Sequence, residues 1–478
     1  MSIRVATSSV RMGRILLYDW GVRRQLLVPI VSVLVAACGS PRPAPGRAPA
    51  RRPPNIVLLI SDDHSSDDTG AGGNGAIRTP ALDRLAAEGA LFRNAYTASP
   101  QCSPARAAIV TGRSPHATAT SRLHATLTAE HDTVVDALRR AGYHAAAYRK
   151  VHLGEAFQSR WDGYGGDDVP FARFFRERPR DRPFFLWVGF HDPHRPYQPG
   201  AVKEPHDPAR VRLPGFLPAT EEIRRDLVSY ADEIARMDGE LAELLAELER
   251  DGSAVETMVV FVGDNGMPFP GAKGSLYDAG VNVPFIVRWP GVVQPGQVRD
   301  EVVSLLDLAP TWLEAAGAPP LPRMEGRSLV AALRGAPLEE RAVFFERNWH
   351  DNLELLRGVR RGRHLLVQNF RPEIAYQPTL DLAGSPSWHS IEERRRAGAL
   401  DPALERRYFA APRPEVELYD VDADPAQLHD LVGDAAQAAT VRALQQELSD
   451  WMVETSDFLP PPIPPVRGEH GESPHGGH

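Results

Sequence analysis

A chain of 478 residues, 42% hydrophobic and 24% charged, can bury a large core and exceeds the usual size of one compact unit, so one large and one small domain are expected. A formal net charge of −8 excludes a general nucleic-acid binder, which carries a basic surplus; any anion site must be local. Two cysteines, Cys38 and Cys102, are too few for a disulfide framework, and each needs its own explanation.

Residues 22–38 start with a basic pair, continue as an apolar run of about a dozen residues, too short to span a bilayer, and end in small residues. That is the build of an export signal. Its ending, Val35-Ala36-Ala37-Cys38, resembles a bacterial lipoprotein cleavage box. The resemblance implies a lipidated Cys38 and an exported, membrane-anchored protein of the periplasm or cell envelope; an ordinary signal with an incidental cysteine is the alternative. Residues 39–54, rich in Pro, Ala, Arg and Gly, read as a tether. The fold then begins with 55–60, an unbroken apolar run of buried-strand length that stops at Ser61-Asp62-Asp63-His64. Thr79 and Pro80 open a helix as its cap and first residue.

Next comes Cys102-Ser103-Pro104-Ala105-Arg106, followed by Thr111-Gly112-Arg113. Pro104 suits a first helical turn and Gly112 a helix stop. Cys102 therefore sits at a helix N-terminus, where unpaired N–H groups and the dipole favour an anion. Arg106, four residues on, returns to the same face. A small buried thiol is the ordinary explanation for a lone cysteine on a core helix, so the remaining chain must supply the rest of a site.

Residues 133–141 have helical spacing, ended by Gly142, and 143–148 read as a strand delivering Lys150 and His152. The run 184–190 is another buried strand, ending in His191-Asp192-Pro193-His194-Arg195. A long amphipathic helix over 221–250 precedes the strand 258–262, which ends in Gly263-Asp264-Asn265-Gly266. Strands alternating with helices predict an α/β fold with a large, mostly parallel sheet sandwiched by helices. Four apolar runs then deposit polar ends on one edge, where ligands of open α/β sheets gather. After residue 340 the segments shorten: strands at 341–346 and 363–368, an irregular Pro-rich stretch at 371–414, and a closing helix at 438–451. The expected plan is a catalytic α/β domain over 55–340, a smaller antiparallel-sheet-plus-helix domain over 341–457, and a disordered tail over 458–478.

Asp62 and Asp63 at one strand end, with Asp264 and Asn265 at another, are the hard oxygen donors that Ca²⁺ or Mg²⁺ requires. One such pair would be read as turn caps; two at separate strand ends point to a cation. Among 54 Lys plus Arg only Lys150, Lys203 and Lys273 are lysine, and a retained Lys marks a place for a compact ammonium.

The Cys-x-Pro-x-Arg pattern with Thr-Gly-Arg resembles the signature of the type I sulfatases, of the alkaline phosphatase superfamily. The resemblance implies that Cys102 is oxidised to a formylglycine whose hydrate attacks sulfur, which needs a formylglycine-generating or anaerobic maturation enzyme. It implies one divalent cation, usually Ca²⁺ with Mg²⁺ as the alternative, held by Asp62, Asp63, Asp264, Asn265 and residue 102. It also implies roles: Arg106 stabilises the hydrate, Lys150 and Lys273 bind sulfate, Asp264 takes the attacking proton, His194 protonates the leaving atom, and His152 draws the last hydroxyl proton. The usual Gly-Lys-Trp-His-Leu-Gly stands here as Arg149-Lys150-Val151-His152-Leu153-Gly154, which puts the turn before Lys150 in question.

Within the family, residues 182–186, His191-Asp192-Pro193-His194-Arg195, Asp264-Asn265-Gly266-Met267-Pro268-Phe269-Pro270 and Leu418-Tyr419-Asp420 resemble the heparan N-sulfatases. An N-sulfated glucosamine at a glycan end is then the expected substrate, with Arg195, His350 and Asp351 as sugar contacts. An O-sulfatase and a phosphodiesterase or phosphonate hydrolase of the same superfamily remain open. So does a lipid-anchored glycan-binding protein with Cys102 unmodified.

Overall fold

The apolar run after the tether becomes the strand that all the others flank. In the computed structural model, which describes residues 52–459, eight strands form one sheet: β1 (Asn55–Ser61), β2 (Ala90–Phe92), β4 (His144–Arg149), β5 (Gly163–Gly165), β6 (Phe184–Gly189), β7 (Thr257–Gly263), β8 (Phe285–Arg288) and β9 (Gln297–Arg299). Their order is β5-β4-β6-β1-β7-β8-β2-β9, and only the pairs made by β8 are antiparallel. A two-stranded parallel ribbon joins β3 (Ala95–Tyr96) to β10 (Val303–Ser304). The export signal with Cys38, nearly all of the tether and the tail from residue 460 lie outside the described residues.

Period-2 alternation decides which helices cover which face. Ile56, Leu58 and Ile60 of β1 point into a core shared with the helices Cys102–Thr111, Val134–Arg140 and Leu308–Ala316. Val57 and Leu59 point into the opposite core, with the helix Pro80–Ala87 and the second half of the helix Glu221–Arg250. Both faces being buried is why the central strands read as continuous apolar runs. The predicted α/β sandwich is therefore what forms.

A second sheet, antiparallel throughout, runs in the order β11 (Val343–Trp349), β12 (Leu353–Arg361), β13 (His364–Asn369), β14 (Val416–Asp420). Leu366 and Leu418 face the closing helix Ala438–Glu454, while Leu365 and Val367 face Tyr96, Leu276 and Tyr277 of the larger part. The stretch 371–414, expected to be irregular, instead holds three helices, Leu380–Ala383, Pro386–Arg396 and Pro402–Phe409. Pro386 and Pro402 stand at the first helical position, and the side chains of Ser385 and Asp401 accept from Trp388 N and Ala403 N. Proline there starts helices rather than breaking them. Thr79 is another correction: it holds the cap position, but its hydroxyl takes the Gly70 N–H, and Asp238 of the long helix accepts from Ala81 N and Leu82 N instead.

The closing helix is locked down by a buried polar cluster. His116 Nδ1 lies 2.5 Å from Glu346 Oε2, its ring meets Trp451 edge-on at 5.3 Å, and Asp457 forms a buried ion pair with Arg357. Burial would lower the His116 pKa, but Glu346, with Asp457 and Glu325 behind it, raises it above the ordinary value. A raised histidine contributes stability that is full below about pH 6.5 and is lost as pH rises through the folded value. His116→Gln should therefore lower the melting temperature at pH 5.5, by about 1–3 kcal/mol of stability, and the gap to wild type should close by pH 8.5. Melting curves showing a pH-independent gap would contradict this assignment.

Candidate active site

Strand register assembles the site. Ser61 pairs with Gly263, Ile60 with Gly189, and Gly189 with Arg149, so β1, β7, β6 and β4 end on one level. Asp62 and Asp63 therefore emerge beside Asp264 and Asn265, with Lys150 and the 191–194 turn on the other side. Gly189 has to be glycine: a Cβ there would lie 1.8 Å from the Lys150 carbonyl oxygen. Arg149 adopts φ 62°, the turn that glycine makes cheaply, and is held in it by an ion pair with Glu240 and by stacking 4.7 Å over Phe171. The questioned turn before Lys150 thus survives the replacement.

The Cys102 helix begins at this edge, Cys102 lining the same cleft as Asp62 and Lys150. It spans Cys102–Thr111, every residue buried, with Gln101 as its cap and Gly112 in the left-handed conformation at its end. Cys102 is its first residue and Pro104 its third. Cys102 is present as the encoded thiol; in a formylglycine its Cβ would be the aldehyde carbon and an oxygen would take the place of Sγ. Burial, then the Asp62 charge, pushes the thiol well above its ordinary pKa. A thiolate nucleophile is disfavoured here.

Arg106 is a strut rather than an exposed anion receptor. Fully buried, it donates from Nε to Asp264 Oδ2 at 2.8 Å and from Nη1 to the Lys150 carbonyl at 2.8 Å. It thereby ties the ends of β7 and β4 to the helix. Lys150 pairs with Asp62, and Lys273 lies 2.8 Å from Asp63 Oδ2 and 2.6 Å from Asp381 Oδ2. His194 Nδ1 bonds the Arg195 carbonyl, which can only accept; Nε2 is then the free end, 3.7 Å from Asp63 and 3.9 Å from Asp381. His152 Nε2 lies 2.7 Å from His124 Nδ1. Its pKa is driven well down by burial, then by the Lys150 and Arg106 charges.

Carboxylate oxygens of Asp62, Asp63 and Asp264 lie within 4.8 Å of one another, all three buried. Asp62 Oδ1 and Asn265 Oδ1 are buried without hydrogen-bond partners. Burial, then the charge of Asp62, pushes Asp264 up to about 7, whereas the neighbouring lysines, led by Lys150, hold Asp62 well below the carboxylate range despite its burial. Packed like charges and orphaned hard acceptors are the donor set of an oxygen-loving divalent cation, which would let both carboxylates ionise.

A cleft of about 1580 Å³ opens over these groups, lined by Asp62, Cys102, Lys150, His152, His194 and Lys273. Arg195, His350 and Asp351, the expected sugar contacts, also line it. Arg195, however, has each guanidinium nitrogen engaged: Nε by the Pro268 carbonyl at 2.9 Å, Nη1 and Nη2 by Asp226 at 2.8 and 2.7 Å. Its charge is balanced within the protein by Asp226, so it lines the cleft as half of an ion pair rather than as a free cation. Asp351 accepts from His350 Nδ1 and from Leu380 N, both at 2.7 Å, so this pair holds the start of the helix carrying Asp381. Sequence reading missed His124 and Asp381. Neither falls in a periodic segment or a motif: His124 lies outside any helix or strand, and Asp381 in a helix of four residues, Leu380–Ala383.

The family model for "Sulfatase" matches residues 54–175 and 163–318, and that for "N-sulphoglucosamine sulphohydrolase, C-terminal" matches 272–406. The N-sulphoglucosamine sulphohydrolase of Homo sapiens is 32% identical over 464 residues, covering 85% of this chain and 91% of that protein. An ulvan-active sulfatase of Formosa agariphila is 27% identical over 459 residues, covering 84% and 75%. Solved structures share the fold at lower identity: BT4656 in complex with its substrate D-glucosamine-2-N,6-O-disulfate has TM-score 0.65 at 18% identity, over 85% of this chain and 99% of that one. The phosphonate monoester hydrolase of Agrobacterium radiobacter has TM-score 0.65 at 19%, over 84% and 96%.

The carboxylate cluster predicts a metal response that can be read without activity. Ca²⁺ added to metal-stripped protein should raise its melting temperature, by about 2.7 kcal/mol of stability at a hundredfold excess over Kd, and Asp63→Asn should abolish most of that gain. Calorimetry showing the same shift in both proteins would place the cation elsewhere.

Proposed function

The chain belongs to the sulfatase family, and on that premise we propose that it releases sulfate from N-sulfated glucosamine in a heparan- or heparin-like saccharide. The observation carrying this reading is the meeting of Cys102, Lys150, His194 and Lys273 around the buried carboxylates at four register-matched strand ends. The choice of an N-sulfated sugar is supported by the likeness to N-sulphoglucosamine sulphohydrolase, whose C-terminal family model covers Lys273, His350, Asp351 and Asp381.

With an aldehyde at position 102 and a divalent cation on Asp62, Asp63, Asp264 and Asn265, the site would gain an oxygen nucleophile and Lewis-acid neutralisation of the sulfuryl charge. The chain's own groups do the remainder. Lys150 and Lys273 offer compact positive charge to the sulfuryl oxygens from two sides of the cleft. Asp264, which the cation would keep ionised, accepts the proton on the attacking side. His194, its ring fixed by the Arg195 carbonyl, aims Nε2 at the leaving atom and, as the imidazolium, delivers a proton there. His152, backed by His124, takes the last hydroxyl proton so that sulfate departs. Arg106 holds Asp264 and the Lys150 backbone in place throughout.

The reading requires a maturation enzyme, either formylglycine-generating or anaerobic, and it fits an exported lipoprotein anchored through Cys38. Mass spectrometry of the Cys102 peptide from the native host should show the aldehyde. The purified protein should release sulfate from N-sulfoglucosamine faster than from glucosamine 6-O-sulfate, and faster than it releases a phenol from aryl phosphodiesters. His194→Ala should cut kcat by about 10²–10⁴. A wholly unmodified thiol, or a preference for phosphodiesters, would sink the proposal.

A further inference from the structure

Asp381 belongs to no part of the sulfatase signature, yet it sits on the leaving-group side of the site. It lies in the short helix Leu380–Ala383, lines the cleft, and its side chain is 19% exposed. Its Oδ2 is 2.6 Å from Lys273 Nζ and 3.9 Å from His194 Nε2, the atom that delivers the proton to the departing group. Resting on the reading above, we infer that Asp381 is the residue that selects a nitrogen leaving group over an oxygen one.

The chemistry differs at a single atom. In an N-sulfated sugar the atom bridging to sulfur carries an N–H; in a sulfate ester it carries no hydrogen. When the S–N bond breaks, its electron pair stays on nitrogen, His194 supplies a proton, and the amine takes up another from water to leave as an ammonium. Overall, R–NH–SO₃⁻ and water give R–NH₃⁺ and SO₄²⁻. A leaving atom within about 3 Å of His194 Nε2 is also within the field of the Asp381 carboxylate. An ionised carboxylate only accepts hydrogen bonds. It therefore favours the N–H of the sulfamate and more strongly the developing ammonium, and it offers nothing to a bare ester oxygen except repulsion of the charge that builds on it. Burial opposes its ionisation, but Lys273 and His194 hold it below the ordinary carboxylate range, so it meets the substrate charged.

The surroundings are built to keep it there. Leu380 N donates to Asp351 at 2.7 Å, and Asp351 is itself held by His350. The helix carrying Asp381 is thus clasped from β11's end across the mouth of the cleft.

The test uses matured full-length protein, with the aldehyde fraction at position 102 measured by mass spectrometry, and the isosteric substitution Asp381→Asn. Because Lys273 also loses a charged partner, absolute rates fall for every substrate, and the readout is a ratio. The preference in kcat/KM for N-sulfoglucosamine over 4-nitrophenyl sulfate should drop by about tenfold or more in the variant. A second measurement needs no ester turnover: glucosamine should inhibit wild type more strongly than glucose does, and Asp381→Asn should erase that difference. Unchanged preference together with unchanged glucosamine discrimination overturns this inference alone. A wild type that cleaves sulfate esters but no N-sulfoglucosamine overturns the substrate reading, and this inference with it.

Discussion

Everything at the site depends on one constraint: four parallel strands must end on the same level. Pairing of Ser61 with Gly263 sets Asp62 and Asp63 against Asp264 and Asn265, and pairing of Gly189 with both Ile60 and Arg149 brings in Lys150 and His194. A slip of one residue in any of these pairs would turn each side chain to the opposite face of the sheet. The register is secured because both faces are buried, so any slip would exchange two complete sets of core residues at once.

Placing so many charges inside a protein is costly unless they balance. Four carboxylates, from Asp62, Asp63, Asp264 and Asp381, face three fixed cations, Arg106, Lys150 and Lys273. One negative charge is left unmatched, and Asp264 responds by holding a proton up to about pH 7. A divalent cation would turn that deficit into one surplus positive charge. A sulfamate or sulfate ester brings a single negative charge to meet it, so electroneutrality is reached when metal and substrate are both bound.

The smaller sheet contributes to chemistry as well as to packing. Its first strand is followed directly by His350 and Asp351, which clasp the segment bearing Asp381, while its far side carries the closing helix through Trp451. His350, Asp351 and Asp381, which follow that strand in the chain, thus line the same cleft as Asp62 and Lys273.

Much of this was legible beforehand, and for a definite reason. Runs such as 55–60 and 258–262 are buried on both faces, so composition alone marks them as parallel strands, and polar residues directly after a strand must lie at its carboxyl end. Cys102, Arg106 and the Asp pairs are near in sequence to the elements that position them. Arg195, by contrast, reads as an available cation until its partner Asp226, thirty-one residues away on the long helix, is seen to occupy it. Asp381 and His124 lie in segments without periodicity, and their place is fixed by contacts more than a hundred residues distant or by loops with no local signal. The sequence by itself determined the sheet, the edge on which chemistry gathers and the residues bound to that edge by short chain connections. Only the tertiary structure decided which charges are already spent on one another and which reach the cleft, because pairing between distant segments is governed by packing geometry that no local pattern encodes.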